Sequence, residues 1–285
     1  MIPARPLLVA GLLLVGAGGL WAASPGGASK LQERPERIVS INLCTDQLVL
    51  VLADRRQIAG LTRNAVDPGM SGEAAAARGL PLISNSAEQI LAIAPDLVVG
   101  MPASRSAALA ALPGHRYPLL DLDMAHSLDQ IYASIRQTAK AVGHPARGER
   151  LIAHMQGQIS ELPRVGRGRV AAYYQRRGYM TGTGTLIDEM MGRVGLVNLA
   201  KKLGKPPLSQ LSIEEMVAAK PDFLIVESAT DIVTDQGSEM LHHPALRDIP
   251  RISVPEAWTV CGSPAYVAAA RSIADQIARI DRGGR

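Results

Sequence analysis

The most regular pattern of apolar and polar positions in this chain occurs twice. Residues 86–99 read SAEQILAIAPDLVV, and residues 212–226 read SIEEMVAAKPDFLIV. In each copy a serine stands where an N-cap is expected, a short amphipathic helix follows, a proline ends the helix, and an unbroken apolar run begins. Aligned on Glu88 and Glu214, the copies lie 126 residues apart, which fits two domain-sized halves and is too far for a solenoid.

The apolar runs predict buried parallel strands. Leu97–Val99 and Phe223–Val226 show no polar alternation, so both faces of each strand should be covered, as in a parallel sheet flanked by helices. Similar runs, each followed by a short helical pattern or a loop, are Arg37–Ile41, Ile58–Leu61, Leu80–Ile83, Tyr117–Leu122, Arg169–Tyr174 and Ile252–Val254. This alternation predicts an α/β fold of two Rossmann-like lobes with mainly parallel sheets and a ligand cleft between them.

A long helical passage separates the two copies and is predicted to connect the lobes. Apolar residues recur at helical spacing from Ser127 to Val142, and a second helix is expected from about Ala146 to Leu162. The sequence alone leaves open whether this connector is one unbroken helix. The predicted organisation is 1–23 signal peptide, 24–36 disordered leader, 37–143 N-terminal lobe, 144–165 connecting helix and 166–285 C-terminal lobe.

The N-terminus has the pattern of an export signal. Arg5 precedes an apolar run from Leu7 to Ala23, and small residues follow at its end. An uncleaved membrane anchor is the alternative, but glycines interrupt the run, which favours cleavage. We therefore expect an exported protein.

Composition narrows the class of function. The 47% apolar content indicates a folded protein, and the formal charge of +4 comes from scattered basic residues. With 3% aromatic residues and no basic stripe, a nucleic-acid surface is not expected.

The two cysteines are predicted to lie at the cleft. Cys44 and Cys261 each follow a strand pattern and precede a helix pattern, and ligands of open α/β sheets bind outside the carboxyl ends of the strands. In an oxidising compartment the pair could form a disulfide or remain as two separate thiols, and the residues do not decide between these. A bridge across the cleft would limit the opening of the lobes.

No arrangement of residues predicts catalysis or a bound metal ion. The six histidines lack ligand spacing, and neither a Ser-His-Asp nor a Cys-His arrangement is visible. The Gly/Thr-rich stretch Gly178–Thr185 lacks the lysine of a P-loop and is interpreted as a strand-to-helix turn at the rim of the cleft. Asp46, Asp96 and Asp222 are interpreted as helix caps or as acceptors at strand edges. We predict no enzyme activity, no cofactor and no directly bound metal.

Glu88 and Glu214 have two interpretations. On the first turn of a helix, an acid complements the helix dipole, which stabilises by up to about 1 kcal/mol. Alternatively the two acids project, one from each lobe, to meet basic residues on a partner with two-fold symmetry.

The order RIVSIN at Arg37, IAGLT at Ile58, and the paired glutamate-to-Pro-Asp motif resembles the periplasmic substrate-binding proteins of iron-siderophore and cobalamin ABC importers. The resemblance covers roughly residues 37–278. It implies two lobes joined by one long helix that move little on binding, and a glutamate on each lobe that docks into arginine pockets of a dimeric inner-membrane permease. Those glutamates match Glu88 and Glu214.

The resemblance also implies a chelate held in the groove by the loops after the strands. In this chain those loops supply Cys44, Thr45, Arg63, Asn64, Met101, Tyr174, Arg176, Arg177, Tyr179, Trp258 and Cys261. Arg176 and Arg177 suit an anionic siderophore, and Trp258 suits a flat apolar ring such as a corrin or haem. The expected ligand is a ferric siderophore first and cobalamin or haem second, bound by a monomer.

Two other hypotheses come from different classes. An exported α/β enzyme would use Cys44 as its nucleophile with an anion held by the Gly/Thr stretch. A periplasmic interaction module would have kept the fold and lost its ligand.

Overall fold

The computed structural model describes residue 1 and residues 34–84, 86–103, 106–111 and 117–283. The predicted signal peptide beyond its first residue, most of the predicted leader and His115 lie outside the described residues. The first described strand begins at Ile38, within the stretch that the sequence predicted.

The N-terminal half is a wholly parallel five-stranded sheet with short helices. Its strands are β1 (Ile38–Ser40), β2 (Ile58–Thr62), β3 (Leu82–Ile83), β4 (Leu97–Gly100) and β5 (Leu119–Asp121). Its helices are α1 (Leu43–Leu52), α2 (Ala74–Ala77), α3 (Ala87–Ile93) and α4 (Ala107–Ala110). The strand order is β3-β2-β1-β4-β5, so the chain reverses its direction of travel at β1. Loops diverge at such a point and leave a crevice outside the carboxyl ends of the strands.

Two helices connect this half to the next. They are α5 (Leu128–Ala141) and α6 (Pro145–Ser160), joined by a turn in which Gly143 has a left-handed φ of 80°. Helix α6 is unbroken over 16 residues, which gives a rod about 24 Å long. The predicted connector boundaries at 144 and 165 stay a prediction.

The C-terminal half is a mixed six-stranded sheet. Its strands are β6 (Val170–Tyr174), β7 (Tyr179–Thr181), β8 (Val197–Asn198), β9 (Leu208–Gln210), β10 (Phe223–Glu227) and β11 (Arg251–Val254). Its helices are α7 (Leu186–Arg193), α8 (Leu199–Lys202), α9 (Ile213–Ala219), α10 (Gln236–Glu239) and α11 (Tyr266–Gly283). The order is β11-β10-β6-β7-β9, with β8 also paired to β6. The α/β fold with mainly parallel sheets is confirmed.

The antiparallel strand β7 corrects the interpretation of residues 178–185 as a turn throughout. Met180 pairs with Tyr174 of β6 on one side and with Ser209 of β9 on the other, and it is fully buried. The strand has only three residues and no apolar run, so the hydrophobic pattern could not reveal it.

Both faces of the central strands are covered, as the unbroken apolar runs predicted. Along β10, Phe223 and Ile225 enter one hydrophobic cluster, and Leu224 and Val226 enter another on the opposite face. The first of these clusters also contains Ile38 of β1 and residues of α5, α6, α7 and α11, so it runs through both halves of the chain. Each half has a separate outer cluster, beneath α3 in one case and beneath α9 in the other.

Helix α1 begins before Asp46, the residue interpreted as its possible cap. Asn42 has an extended backbone, and its side-chain oxygen accepts a hydrogen bond from the Cys44 amide at 2.8 Å. Asp46, interpreted from the sequence as a possible cap, lies inside this helix together with Thr45, and both are fully buried. Among the described residues, no helix combines the length and apolar character that crossing a bilayer requires.

Candidate functional site

A cavity lies at the carboxyl edge of the parallel sheet, at the point where the strand order reverses. Ile41 and Asn42 follow β1, and Met101 and Pro102 follow β4, joined by a cis peptide bond. Together with Ser106, Ala107 and Ala108 they enclose about 410 Å³. This position matches the expectation that the ligand binds outside the strand ends.

The carboxyl edge of the second sheet brings two polar side chains, Gln175 and Glu227, next to each other. The register of β6, β10 and β11 places Gln175, Glu227 and Val254 next to one another. The Gln175 side-chain amide donates a hydrogen bond to Glu227 at 2.8 Å, and Glu227 is only 8% exposed. This edge therefore offers an anchored amide and a buried acid.

The turn that follows β11 brings a second acid and an aromatic ring to this edge. Glu256 and Trp258 form one 3-10 turn, and Trp258 is partly buried against the shared hydrophobic cluster. Burial raises the pKa of Glu256, nearby Glu227 raises it further, and Arg176 lowers it. Asp67, in the loop after β2, also raises this pKa, so the loop after β2 lies near the turn after β11.

Arg176 and Arg177 stand close together but differ in their surroundings. Arg176 forms an ion pair with Asp235, and about half of its side chain is exposed. Arg177 has a left-handed φ of 58° and lines a cavity of about 460 Å³ with Asp235, Gln236 and Gly237. Arg177 is thus the more available cation of the pair, whereas Arg176 is already neutralised by a carboxylate.

The other predicted ligand residues fall into two groups. Arg63, Asn64 and Tyr179 are exposed and available to a ligand. Met101 is 5% exposed and faces the cavity after β4.

Thr45 and Tyr174, also predicted as ligand contacts, are buried and hydrogen-bonded within the protein. The Thr45 hydroxyl lies 2.8 Å from the Ser40 hydroxyl and 2.9 Å from the Asn42 carbonyl oxygen. The Tyr174 hydroxyl donates to the Leu211 carbonyl oxygen at 2.7 Å, and burial raises its pKa to about 12. Both side chains stabilise the sheet edges from within.

The two cysteines form a disulfide that joins the two halves. Cys44 is the second residue of α1, and Cys261 lies between β11 and α11, with a Cα–Cα distance of 5.2 Å across 217 residues of sequence. Cys261 is 3% exposed and Cys44 is partly exposed. Because these are the only two cysteines of the chain, Cys44 has no free thiol to act as the nucleophile of the enzyme hypothesis.

Glu88 and Glu214 occupy equivalent positions on the two halves. Each is the second residue of a helix, α3 or α9, whose N-cap serine accepts a hydrogen bond from the amide three residues on at 3.2 Å. Both glutamates are exposed. Hydrogen bonds from each glutamate's own backbone amide, and then from the cap serine, hold both pKa values below their usual range, so both carry full negative charge at neutral pH.

The pseudo-symmetry extends to the strand that follows each helix. Asp96 accepts hydrogen bonds at 2.8 Å from the amides of Glu36 and Arg37, just before β1. Asp222 accepts one at 2.7 Å from the amide of Val170, the first residue of β6. Both aspartates act as acceptors at strand edges, as interpreted from the sequence.

Sequence reasoning missed several polar residues at the sheet edges. Asn42, Gln175, Glu227 and Glu256 were not among the predicted ligand residues. The signal for Glu227 was present in the sequence, because an acid directly ends the apolar run of a parallel strand and must emerge at the carboxyl edge. Among the described residues, no group of three or more His, Cys, Asp and Glu side chains is arranged to hold a metal ion.

Comparison with known proteins gives a consistent result. A sequence model of the family described as periplasmic binding protein matches residues 38–251. The vitamin B12-binding protein of Pectobacterium atrosepticum is 28% identical over 204 residues, covering 68% of this chain and 71% of that protein.

Solved structures share the fold. The periplasmic haem-binding protein RhuT of Roseiflexus sp. RS-1 in its apo form is 27% identical, with a TM-score of 0.67 over 85% of this chain and 99% of that one. The periplasmic vitamin B12-binding protein BtuF of Vibrio cholerae is 16% identical, with a TM-score of 0.64 over 87% of this chain and 99% of that one. These structures support the two-lobed architecture that the sequence predicted.

Proposed function

The chain belongs to the periplasmic binding protein family, and from this premise we propose that it captures a metal chelate between its two halves and delivers it to the permease of an ABC importer. The observation that carries the proposal is the pair of capped, exposed glutamates, Glu88 and Glu214, on equivalent helices of the two halves. A pseudo-symmetric pair of acids fits a permease dimer that presents the same basic pocket twice. The family consists of binding proteins, so delivery without chemistry is the function proposed.

Charge reversal tests the docking role. The variant Glu88→Lys/Glu214→Lys should abolish uptake, because each lysine would face a basic pocket, while chelate affinity stays unchanged. A matched control is Glu36→Lys/Glu161→Lys, which changes the net charge equally at exposed acids outside α3 and α9. Uptake of radiolabelled cyanocobalamin by cells of the source organism, alongside equilibrium dialysis of the purified variants, separates the two properties. Normal uptake by the Glu88/Glu214 variant would remove the docking role.

Among metal chelates we place a corrinoid first, which reverses the order expected from the sequence. Arg176, one of two arginines expected to hold an anionic siderophore, is neutralised by Asp235, and the acids Glu227 and Glu256 lie at the same edge. These acids favour a neutral chelate that is rich in amide groups over one with several negative charges. Trp258 supplies an apolar face for a flat macrocycle. The relatives named for vitamin B12 support the same order.

A competition experiment tests this order. Cyanocobalamin, haemin, a ferric catecholate and a ferric hydroxamate would be offered to the purified protein, and native mass spectrometry would report which is retained. Native mass spectrometry of the protein isolated from its periplasm would report the resident chelate directly. Retention of the catecholate alone would restore the siderophore to first place.

A further inference from the structure

The Cys44–Cys261 disulfide lies within a packed contact between the two halves. We define the seam as Cys44, Gly72 and Ala125 of the N-terminal half together with residues 256–265 of the C-terminal half. A Cβ atom added to Gly262 would lie 2.6 Å from the Ala125 Cβ, and one added to Gly72 would lie 3.1 Å from the Ala265 Cβ. Backbones approach this closely only where glycine leaves room, so the halves are in tight contact on both sides of the bond.

Besides the disulfide, a hydrogen bond near the seam joins the two halves, between α5 and the C-terminal half. The Leu128 amide, at the first residue of α5, donates to the Glu189 carboxylate at 2.7 Å. Glu189 is held in turn by Arg193. Unlike the disulfide, these contacts are non-covalent and can separate when the halves rotate.

The seam closes one side of the groove. The disulfide joins the start of α1, which follows β1, to the segment that follows β11, so it spans the carboxyl edges of both sheets. With the Cα atoms of Cys44 and Cys261 held 5.2 Å apart, the halves cannot separate at that point, and any opening must hinge about it. A chelate must then enter and leave on the side away from the seam.

We propose that the disulfide is a redox modification site that regulates ligand exchange. In the oxidised protein the bond holds the two halves together at the seam, and a dithiol reductant of the periplasm breaks it. We call this bond the latch. The inference rests on the proposed function for its ligand, but the latch itself is a property of the protein alone. It differs from a purely stabilising disulfide because it lies between the two halves and not within one of them.

The chemistry is thiol–disulfide exchange. Cys44 is the more exposed partner, so a thiolate of the reductant attacks its Sγ, forms a mixed disulfide and displaces the Cys261 thiolate. The second thiol of the reductant then displaces Cys44. Two electrons pass to the protein, two protons give the two cysteine thiols, and the reductant leaves as its own disulfide. Reduced Cys44 lies in the first turn of α1, where the helix N-terminus stabilises the thiolate, so the reduced form is favoured and the bond is easier to break.

Hydrogen–deuterium exchange of the ligand-free protein tests the latch directly. On reduction, amide exchange should accelerate by roughly tenfold or more in the peptides that contain Leu128 and residues 256–265. Without the covalent bond, the non-covalent contacts between the halves at these residues should open more often. Peptides from β1 and β10 should change by less than about twofold, because both sheets stay folded. Exchange that stays the same at the seam, or that accelerates equally throughout the chain, would overturn the proposal.

Controls isolate the bond from the reagent and from loss of fold. The same reductant should leave Cys44→Ser/Cys261→Ser unchanged, and that variant should exchange like the reduced protein. Reoxidation of the reduced protein should restore slow exchange at the seam. If the reductant accelerates amide exchange in the double serine variant, the reagent and not the bond causes the change, and the proposal is wrong.

The consequence for binding is measured separately with cyanocobalamin as the probe. Reduction should raise the dissociation rate of bound cyanocobalamin by roughly tenfold. If the exchange result holds and cyanocobalamin does not bind, the proposed ligand is wrong and the latch stands. If cyanocobalamin leaves both forms at the same rate, the regulatory role of the latch is lost.

Discussion

At the scale of single residues, one carboxylic acid is unusual because it is fully buried in the N-terminal half. Asp46 on α1 is fully buried, and it accepts a hydrogen bond from the Thr62 amide at the end of β2 at 3.2 Å. Burial raises the pKa of Asp46 to about 6, against the opposing effect of hydrogen bonds from Ser40 and Thr62. The acid therefore ties α1 to the end of β2, and its pKa of about 6 lies well above the ordinary value of an aspartate.

The raised pKa predicts a specific dependence of stability on pH. Since the folded protein binds this proton more tightly than the unfolded chain, whose pKa is the ordinary 3.8, the stabilisation is complete below about pH 4 and is lost as the pH rises through about 6. Asp46→Asn removes the titration, so the free energy of unfolding of the variant relative to the wild type should rise by about 2 kcal/mol between pH 4 and pH 7. Urea unfolding across this range measures the difference, and Asp129→Asn, at an exposed position of α5, controls for the loss of one charge. A difference that stays flat with pH would show that Asp46 is not the titrating group.

The sequence predicted which loops carry the site better than which side chains face it. Arg63 and Tyr179 are exposed as expected, but Tyr174 is buried although its neighbour Gln175 reaches Glu227. Successive strand residues point to opposite faces, and an unbroken apolar run hides which positions belong to which face. Asp46 was interpreted as a possible cap, whereas Asn42 caps α1, because the choice among nearby polar residues depends on the backbone geometry at the helix start.

At the scale of elements, the two glutamate helices depend on their serine caps. Helix α9 begins with a complete capping box, in which Ser212 accepts from the Glu215 amide and the Glu215 side chain accepts from the Ser212 amide at 3.0 Å. Helix α3 has the serine cap, but Gln89 at the equivalent position accepts instead from the Ser84 amide at 2.7 Å. The caps fix the first turn of each helix and with it the position of the exposed glutamate.

Removal of either cap should weaken its helix. Ser86→Ala and Ser212→Ala are each expected to lower the free energy of unfolding by about 1 kcal/mol, because an amide at the helix start loses its acceptor. Ser160→Ala, at an exposed serine that donates only to the Gly157 carbonyl oxygen at 2.7 Å, should stay within about 0.5 kcal/mol of the wild type. Denaturant unfolding compares the three variants. Equal values for all three would contradict the capping role.

Among the elements, the sequence predicted most accurately the helix and strand of the motif that occurs in both halves. The serine, glutamate, proline and aspartate of each copy lie where the pattern placed them, because each is set by local chemistry that both halves use. Strands β7 and β9 escaped prediction, since two three-residue strands gain their stability from pairing with β6 and with each other. The disulfide was left open for a related reason: whether Cys44 and Cys261 meet depends on how the halves pack across 217 residues.

At the scale of the whole molecule, the contacts between the two halves would govern both the stability of the protein and the proposed exchange of ligand. The seam, the Leu128–Glu189 hydrogen bond and helix α6 all join the halves, and the carboxyl edges of both sheets open beside them. Such an arrangement permits small rotations and opposes wide separation. Recognition by a permease would then depend on a nearly fixed distance between Glu88 and Glu214, which suits a rigid two-point contact.

The hydrophobic cluster that runs through both halves has a consequence for attempts to dissect the protein. A chain cut between Ser160 and Val170 would divide this cluster, because its members come from both fragments, Ile38 from one and Ile225 from the other. We expect neither fragment to be soluble when expressed alone, and co-expression to restore a complex that melts in a single calorimetric transition. Two soluble, folded fragments would show that each half is stable without the other.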